Sequence, residues 1–470
     1  MPFNSFYFWL AFSAIFLIYW AIPSRYASVR KAWLIGVSYL LYMNWRPAFA
    51  LVLLYVTAVT YFGAIQATKV RGRKSLIGWI VALLSLAPLI VFKYYNFLNE
   101  TFTDVLEWMG LRVAIPGLNY AIPVGLSFFT FQAVGYFFDV YRGSREAEKN
   151  WFDYVLFVSF FPQIASGPIS KADELLPQIK HLPAFDYPLG KQGLKYVLWG
   201  MFIKVVIADR LGLFVDVVYD SFASYSGLTC FMASLFYSIQ IYCDFAGYSL
   251  MAIGVGALLG FRLINNFRRP YFAIGITDFW KRWHISLTRW LTQNIYIPLG
   301  GNRCSKIRCY FNILVTFLVS GIWHGAAWHF VFWGALHGVL QVIEKALNLA
   351  RYEGNSAVVR IGRILVTFFL VNLAWIFFRM PDVPSAFSMI GGFFTRPGMP
   401  DFSSFGGTNL IIVSLAVLIL VFKELREEFF PKRCVFLNAR PVQWLSYLIL
   451  FCMIFSVGVL DGGQFIYVGF

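Results

Sequence analysis

Charge is scarce in this chain. Only 13% of its 470 residues are Asp, Glu, Lys or Arg, about half the share of a soluble domain, which excludes a water-facing globular surface. Acid is scarcer than base: 23 Asp and Glu stand against 39 Lys and Arg, a formal net charge of +16. Cysteine is sparse too, at positions 230, 243, 304, 309, 434 and 452 with no CxxC pair, so neither a zinc ribbon nor a disulfide framework is encoded. Cys304 and Cys309 flank Lys306 and Arg308 in a basic, cytoplasmic loop and read as reduced thiols without a role. Long polar stretches are missing: the longest, 142–149, 170–187 and 382–407, are too short to bury a core. No internal repeat is visible, which speaks against an inverted-repeat transporter.

What is present is apolar. Hydrophobic residues make up 59% of the chain and aromatics 20%, gathered into runs at 6–22, 33–43, 49–65, 77–92, 121–138, 410–422 and 444–460. Each is near the length that about 30 Å of hydrocarbon demands. The pattern predicts an all-α polytopic integral membrane protein with roughly 11 spanning or re-entrant helices; the alternation of a barrel strand is missing. The first run lacks a basic leader and a small-residue cleavage site, so it reads as a retained span. Arg25, Arg30 and Lys31 fall in one loop and Lys69, Arg71, Arg73 and Lys74 in another, with two spans and a turn at 44–47 between them. By the positive-inside rule that shared face is cytoplasmic and the N-terminus extracytoplasmic. The basic excess then serves topology and anionic membrane lipids, with no nucleic acid as partner.

Three stretches of one membrane unit follow: N-terminal transmembrane helices over 1–117, a distinct core over 118–380, and C-terminal transmembrane helices over 381–470. In the core, proline, glycine and polar residues interrupt apolar sequence, as in YAIPVGLSFFTFQAVGYFFDVYRG, FFPQIASGPIS and SIQIYCDFAGYSLMAIGVGALLGF. Irregular backbone at membrane depth requires cover by protein or a water-filled cavity, so this stretch predicts a central funnel. A broken-helix packing core without a cavity is the alternative.

Three clusters within it could do chemistry. From Cys309 to Ile343 there are 35 residues without a charge; as one helix they would reach about 52 Å, too long for one crossing. A break is expected at Ser320–Gly321, placing His324 near the middle of the run and the membrane midplane, where a neutral imidazole between Trp323 and Trp328 suits a general base. His324, His329 and His337 lack the i, i+4 spacing of a helical metal pair, so no metal site is predicted, and His329 and His337 read as packed imidazoles. Upstream, in ITDFWKRWHISLTRWLTQNIYIPLGGNR, Lys281, Arg282 and Arg289 alternate with Trp280, Trp283 and Trp290. His284 sits among them, and Arg303 follows the Gly300–Gly301 turn. This is an interfacial helix that anchors in headgroups or holds the phosphates of a donor. Third, IQIYCDFAGYS sets Gln240, Tyr242, Asp244, Tyr248 and Ser249 in apolar surroundings; an acid there marks a functional site or pairs with Lys204.

Taken in order, IPVGLSFFTFQAVGYFFDVYRG, FFPQIASGPI, LWGMFIKVVIADRL, YCDFAGYSLMAIGVGALLGF, FWKRWHISLTRWL with YIPLGGNR, and SGIWHGAAWHFVFWGALHG resemble the membrane-bound O-acyltransferases. The resemblance runs from about residue 118 to the C-terminal FIYVGF. It is nearest to the bacterial polysaccharide O-acetylase branch, typified by the alginate O-acetyltransferase membrane subunit. It implies a multi-helix fold around a funnel and two signature histidines: His324 as catalytic base, and His284 as a second group that orients or stabilises the thioester carbonyl. Funnel-lining or substrate contacts are then expected from Trp323, Trp283, Gln240, Tyr242, Asp244 and Ser249, and donor contacts from Lys281, Arg282 and Arg303. Where the family pattern reads WLRDYLYIPLGG, this chain has WLTQNIYIPLGG, so Thr292 and Gln293 receive no role.

The implied donor is a cytoplasmic acetyl thioester, acetyl-CoA, with no bound cofactor. The implied acceptor is an extracytoplasmic polysaccharide, reached through a partner resembling an SGNH hydrolase, at a bacterial inner membrane. D-alanyl transfer to teichoic acids from an acyl-carrier protein is an alternative within the superfamily. A transporter or channel without acyl chemistry is the alternative of another class.

Overall fold

The computed structural model describes residues 3–70, 74–349, 356–430 and 439–460. Arg71, Arg73, Cys434 and the terminal FIYVGF, all used above, lie outside the described residues. Within them every regular element is helical. Seven helices are long and apolar enough to cross a bilayer: Phe49–Lys69, Lys74–Trp108, Gly227–Leu258, Lys306–His324, Ala357–Arg379, Gly407–Phe429 and Arg440–Val457. The pair Phe6–Ala21 and Ser24–Met43, bent by 107°, makes an eighth if it is one broken span. Leu83, Leu365, Leu418 and Leu448 stand more than half exposed on these helices, the surface that acyl chains cover in a bilayer.

The chain divides into two compact units. The first is Met1–Gly193 with Val255–Ile264. Here Arg30 and Lys31 are not in a loop but inside the helix Ala27–Met43. The bend before that helix frees carbonyls at the end of the first one. Arg30 is buried against them, its Nε donating to the Ile22 carbonyl at 2.7 Å with the guanidinium over Tyr19 and Trp20. Lys31 pairs with Asp153 at 2.7 Å. Both cations are tied to packing, and Arg25 of that cluster lies over the Tyr26 ring at 4.9 Å.

The second unit is Leu194–Gly254 with Asn265–Phe470. The helix Gly227–Leu258, which supplies its central stretch up to Gly254, runs unbroken for 32 residues, so Gly247, Gly254 and Gly256 do not interrupt it. Gly247 serves close packing instead: a Cβ there would stand 2.8 Å from the Gly200 carbonyl oxygen. Several polar groups on this helix are matched within the unit. Asp244 pairs with Lys204, which also holds Asp209 at 2.6 Å; Tyr242 donates to Glu424; Ser234 and Ser238 bond the amide of Asn372 at 3.1 and 2.7 Å. Asp244 is thus the charge-paired acid of the two readings the sequence left open.

Candidate active site

The uncharged run folds as a helical hairpin in the second unit. Its arms, Lys306–His324 and Trp328–Ala346, hold 19 residues each, about 28 Å at 1.5 Å per residue. The turn comes at 325–327, not at Ser320–Gly321, because Gly321 is an interface residue. Any Cβ at Gly321 would collide with the Phe330 carbonyl, and any at Gly334 with the Phe317 carbonyl, so these two glycines let the arms meet backbone to backbone. In consequence, His324 is at the tip of the hairpin, a full arm's length from Lys306.

Three imidazoles gather around that tip. His284, His324 and His337 are 0%, 1% and 0% exposed, and tryptophans separate them: Trp323 lies 5.8 Å from the His284 ring and 4.9 Å from His324, and Trp333 lies 4.8 Å from His324 and 5.0 Å from His337. Their hydrogen bonds fix their tautomers. His324 Nδ1 is 2.7 Å from the Ser320 carbonyl oxygen; an oxygen of this kind only accepts, so Nδ1 carries the proton and Nε2 the lone pair. His337 is the reverse, its Nδ1 accepting from Trp280 Nε1 at 3.3 Å. His284 has left-handed backbone, φ 44°, at the start of the helix Ile285–Leu291, and its Nδ1 lies 3.3 Å from Asn266 Oδ1. His284 lies outside the candidate spans; burial drives its pKa well below the ordinary imidazole value and the nearby His324 adds to this, so it is held neutral. His329 is apart from the cluster, with Nδ1 3.1 Å from the Phe377 carbonyl.

A cavity of about 930 Å³ lies beside this cluster, lined by Ser320 and Trp280 but by none of the three histidines. Lys306, Lys345 and Asn302 line one end and Ser320, Phe317 and Trp280 the other, so its inner wall is built from the residue that holds His324 and the one that holds His337. Lys306 to Ser320 is 14 residues of helix, about 21 Å. Lys281 contributes a third ammonium to the lining. The lining thus carries three ammonium groups together with Ser320, which sits one turn before His324.

The sequence model of the MBOAT, membrane-bound O-acyltransferase family matches residues 148–380. The probable alginate O-acetylase AlgI of Pseudomonas aeruginosa is 35% identical over 441 residues, covering 91% of this chain and 82% of its own length. The chain belongs to the membrane-bound O-acyltransferase family. The peptidoglycan O-acetyltransferase of Helicobacter pylori is also 35% identical, over 83% of this chain and 79% of its own. The teichoic acid D-alanyltransferase of Streptococcus thermophilus is 30% identical over 47% of this chain and 57% of its own. Membership makes the chain an acyltransferase and a multi-pass membrane protein, which displaces the transporter reading.

Among the residues expected of an O-acyltransferase site, Trp323 and Lys281 are at the cluster and the cavity respectively. Trp283 is buried behind them, stacked on Phe279 at 5.5 Å and near Trp375 at 4.9 Å. Gln240, Tyr242, Asp244 and Ser249 are buried on the central helix and line no described cavity. Arg282 is bound by Asp278 at 3.0 Å and Glu428 at 3.1 Å; burial lowers its pKa, but these carboxylates outweigh burial and raise it. It is a structural cation, and Arg303 is exposed and absent from the lining. The tryptophans Trp280 and Trp283 are buried, so the segment does not lie as an interfacial belt; Glu344 of the second arm caps it through Thr277 N at 2.9 Å. Thr292, given no role from sequence, lines the cavity, as does Tyr296. Sequence reasoning also missed Asn266 and the membership of His337, since neither spacing nor motif reports a tertiary approach.

Proposed function

We propose that this protein is an inner-membrane O-acetyltransferase that moves acetyl from a cytoplasmic thioester, acetyl-CoA, to hydroxyls of an extracytoplasmic polysaccharide of the alginate or peptidoglycan kind. The observation that carries the reading is the lysine-mouthed cavity ending at Ser320, the residue whose carbonyl fixes His324 as a base. With the Lys306 end cytoplasmic by the positive-inside rule, the thioester enters there and its carbonyl reaches the hairpin tip. An acceptor hydroxyl arriving from the outer side gives its proton to His324 Nε2 as its oxygen attacks the carbonyl. The carbon–sulfur bond then breaks and the proton passes to the departing thiolate. Trp323, Trp333 and the buried imidazoles keep water from competing for the acyl group.

This reading includes roughly 11 spanning or re-entrant helices around a funnel that opens outward, the core at 118–380 between N- and C-terminal helices, and an extracytoplasmic N-terminus. It also includes a partner resembling an SGNH hydrolase that carries acetyl to the polymer. The likeness to a D-alanyltransferase gives the second reading, in which an acyl-carrier protein brings D-alanine. Deleting the gene and measuring base-labile acetate and D-alanine ester on total envelope polysaccharide separates the two. Loss of acetate alone is expected; loss of D-alanine ester alone supports the second reading, and loss of neither contradicts both.

A further inference from the structure

One oxygen organises the second signature histidine. Asn266 Oδ1 accepts from the Ser286 backbone N–H and from the Ser286 hydroxyl, both at 3.0 Å, and lies 3.3 Å from His284 Nδ1. The Asn266 backbone carbonyl takes the Ile285 N–H at 2.9 Å. All of this is buried, with Asn266 1% exposed, and it is made across 18 to 20 residues of sequence. The amide cannot be reversed without facing its NH2 group to the Ser286 N–H, donor against donor. Its oxygen therefore faces His284, and an amide oxygen only accepts.

We infer that Asn266 is a positioning residue that locks His284 in the Nδ1–H tautomer, so that His284 works at Nε2 as a hydrogen-bond acceptor and not as a donor to the thioester oxyanion. This rests on the acyl-transfer reading above and amends it. A neutral imidazole holds one N–H, and at Nδ1 it faces two acceptors, the Asn266 oxygen and the residue's own backbone carbonyl; only an imidazolium could still donate at Nε2, and burial opposes that charge. His284 then accepts a hydrogen bond from the incoming hydroxyl, sharing with His324 the work of orienting the acceptor, while the carbonyl oxygen is stabilised elsewhere. The left-handed φ of His284 is an uncommon conformation for a residue with a side chain, and the Asn266 contacts on both sides of it, at Nδ1 and at the Ile285 and Ser286 amides, are what hold it.

The test uses the full chain in lipid bilayers, labelled with ¹⁵N-histidine. The sequence holds five histidines, few enough to resolve, and a His284→Gln sample assigns the signal. Expected is a protonated Nδ1 and a bare Nε2 for His284 in the wild type. That state persists in Asn266→Asp, whose carboxylate also accepts, and is lost or mixed in Asn266→Leu. With acetyl-CoA as donor probe and a mannuronate oligomer as acceptor, Asn266→Leu is expected to lower kcat about 10- to 100-fold, the range for supporting residues of this kind, with the donor KM unchanged. Asn266→Asp retains turnover, and its acid limb moves to higher pH, because a negative charge beside His284 raises the imidazole pKa. A protonated Nε2 in the wild type, or an unchanged tautomer in Asn266→Leu, overturns the inference. If the tautomer behaves as stated but the wild type shows no transfer to any hydroxyl acceptor, it is the acyl-transfer reading that fails.

Discussion

At the scale of single residues, buried polar groups in this protein divide into those held for packing and those held for chemistry, and their partners tell them apart. Lys204 is held by two carboxylates, Asp209 and Asp244, all three buried. Lys204→Met is expected to cost about 3–5 kcal/mol, because it leaves buried carboxylates without a counter-charge; thermal unfolding in detergent checks it, and an unchanged melting temperature contradicts the pairing. His329, bonded to the Phe377 carbonyl, is a packing group. His329→Leu is expected to keep wild-type transfer while losing about 1 kcal/mol of stability; loss of activity with stability intact would put it back among the functional groups.

At the scale of the elements, the helical hairpin decides where His324 is held. Gly321 and Gly334 are compulsory at its interface, so Gly321→Val is expected to prevent folding or cost upwards of about 3 kcal/mol through overpacking. At Gly362 a Cβ meets nothing within 4 Å, and Gly362→Ala is expected to stabilise by up to about 1 kcal/mol through helix propensity. Comparative melting of the two variants measures both. Filling the cavity with Thr316→Trp, at a lining position, is expected to raise the KM for acetyl-CoA or abolish transfer with the fold retained; unchanged kinetics would exclude the cavity as the donor route. The length of the uncharged run required a turn, and that much was legible in sequence. Its position was not, because glycine signals both a break and a close helix contact, and only the partner helix reveals which applies. The same ambiguity made the central helix read as broken when Gly247 is there for Gly200.

At the scale of the whole molecule, sequence motifs carried the family and pointed to His284 and His324, while the cavity, the tautomers and Asn266 became visible only in three dimensions. Arg30 shows the physical reason: a cation beside an apolar run reads as a topological signal, yet its carbonyl and aromatic partners, brought close by a 107° bend, make it a brace. Orientation is open to direct test through single cysteines at Lys306 and at Trp328, which is 60% exposed beside the hairpin tip. Membrane-impermeant maleimide is expected to label Lys306→Cys from the cytoplasmic side and Trp328→Cys from the outside; the opposite pattern would invert the proposed route of acetyl. The central claim, that His324 is the base of acyl transfer, is tested most directly by base-labile acetate on envelope polysaccharide in cells carrying His324→Ala at wild-type protein level. The acetate is predicted to fall to the level of the deletion strain, and acetate at the wild-type level would contradict the account.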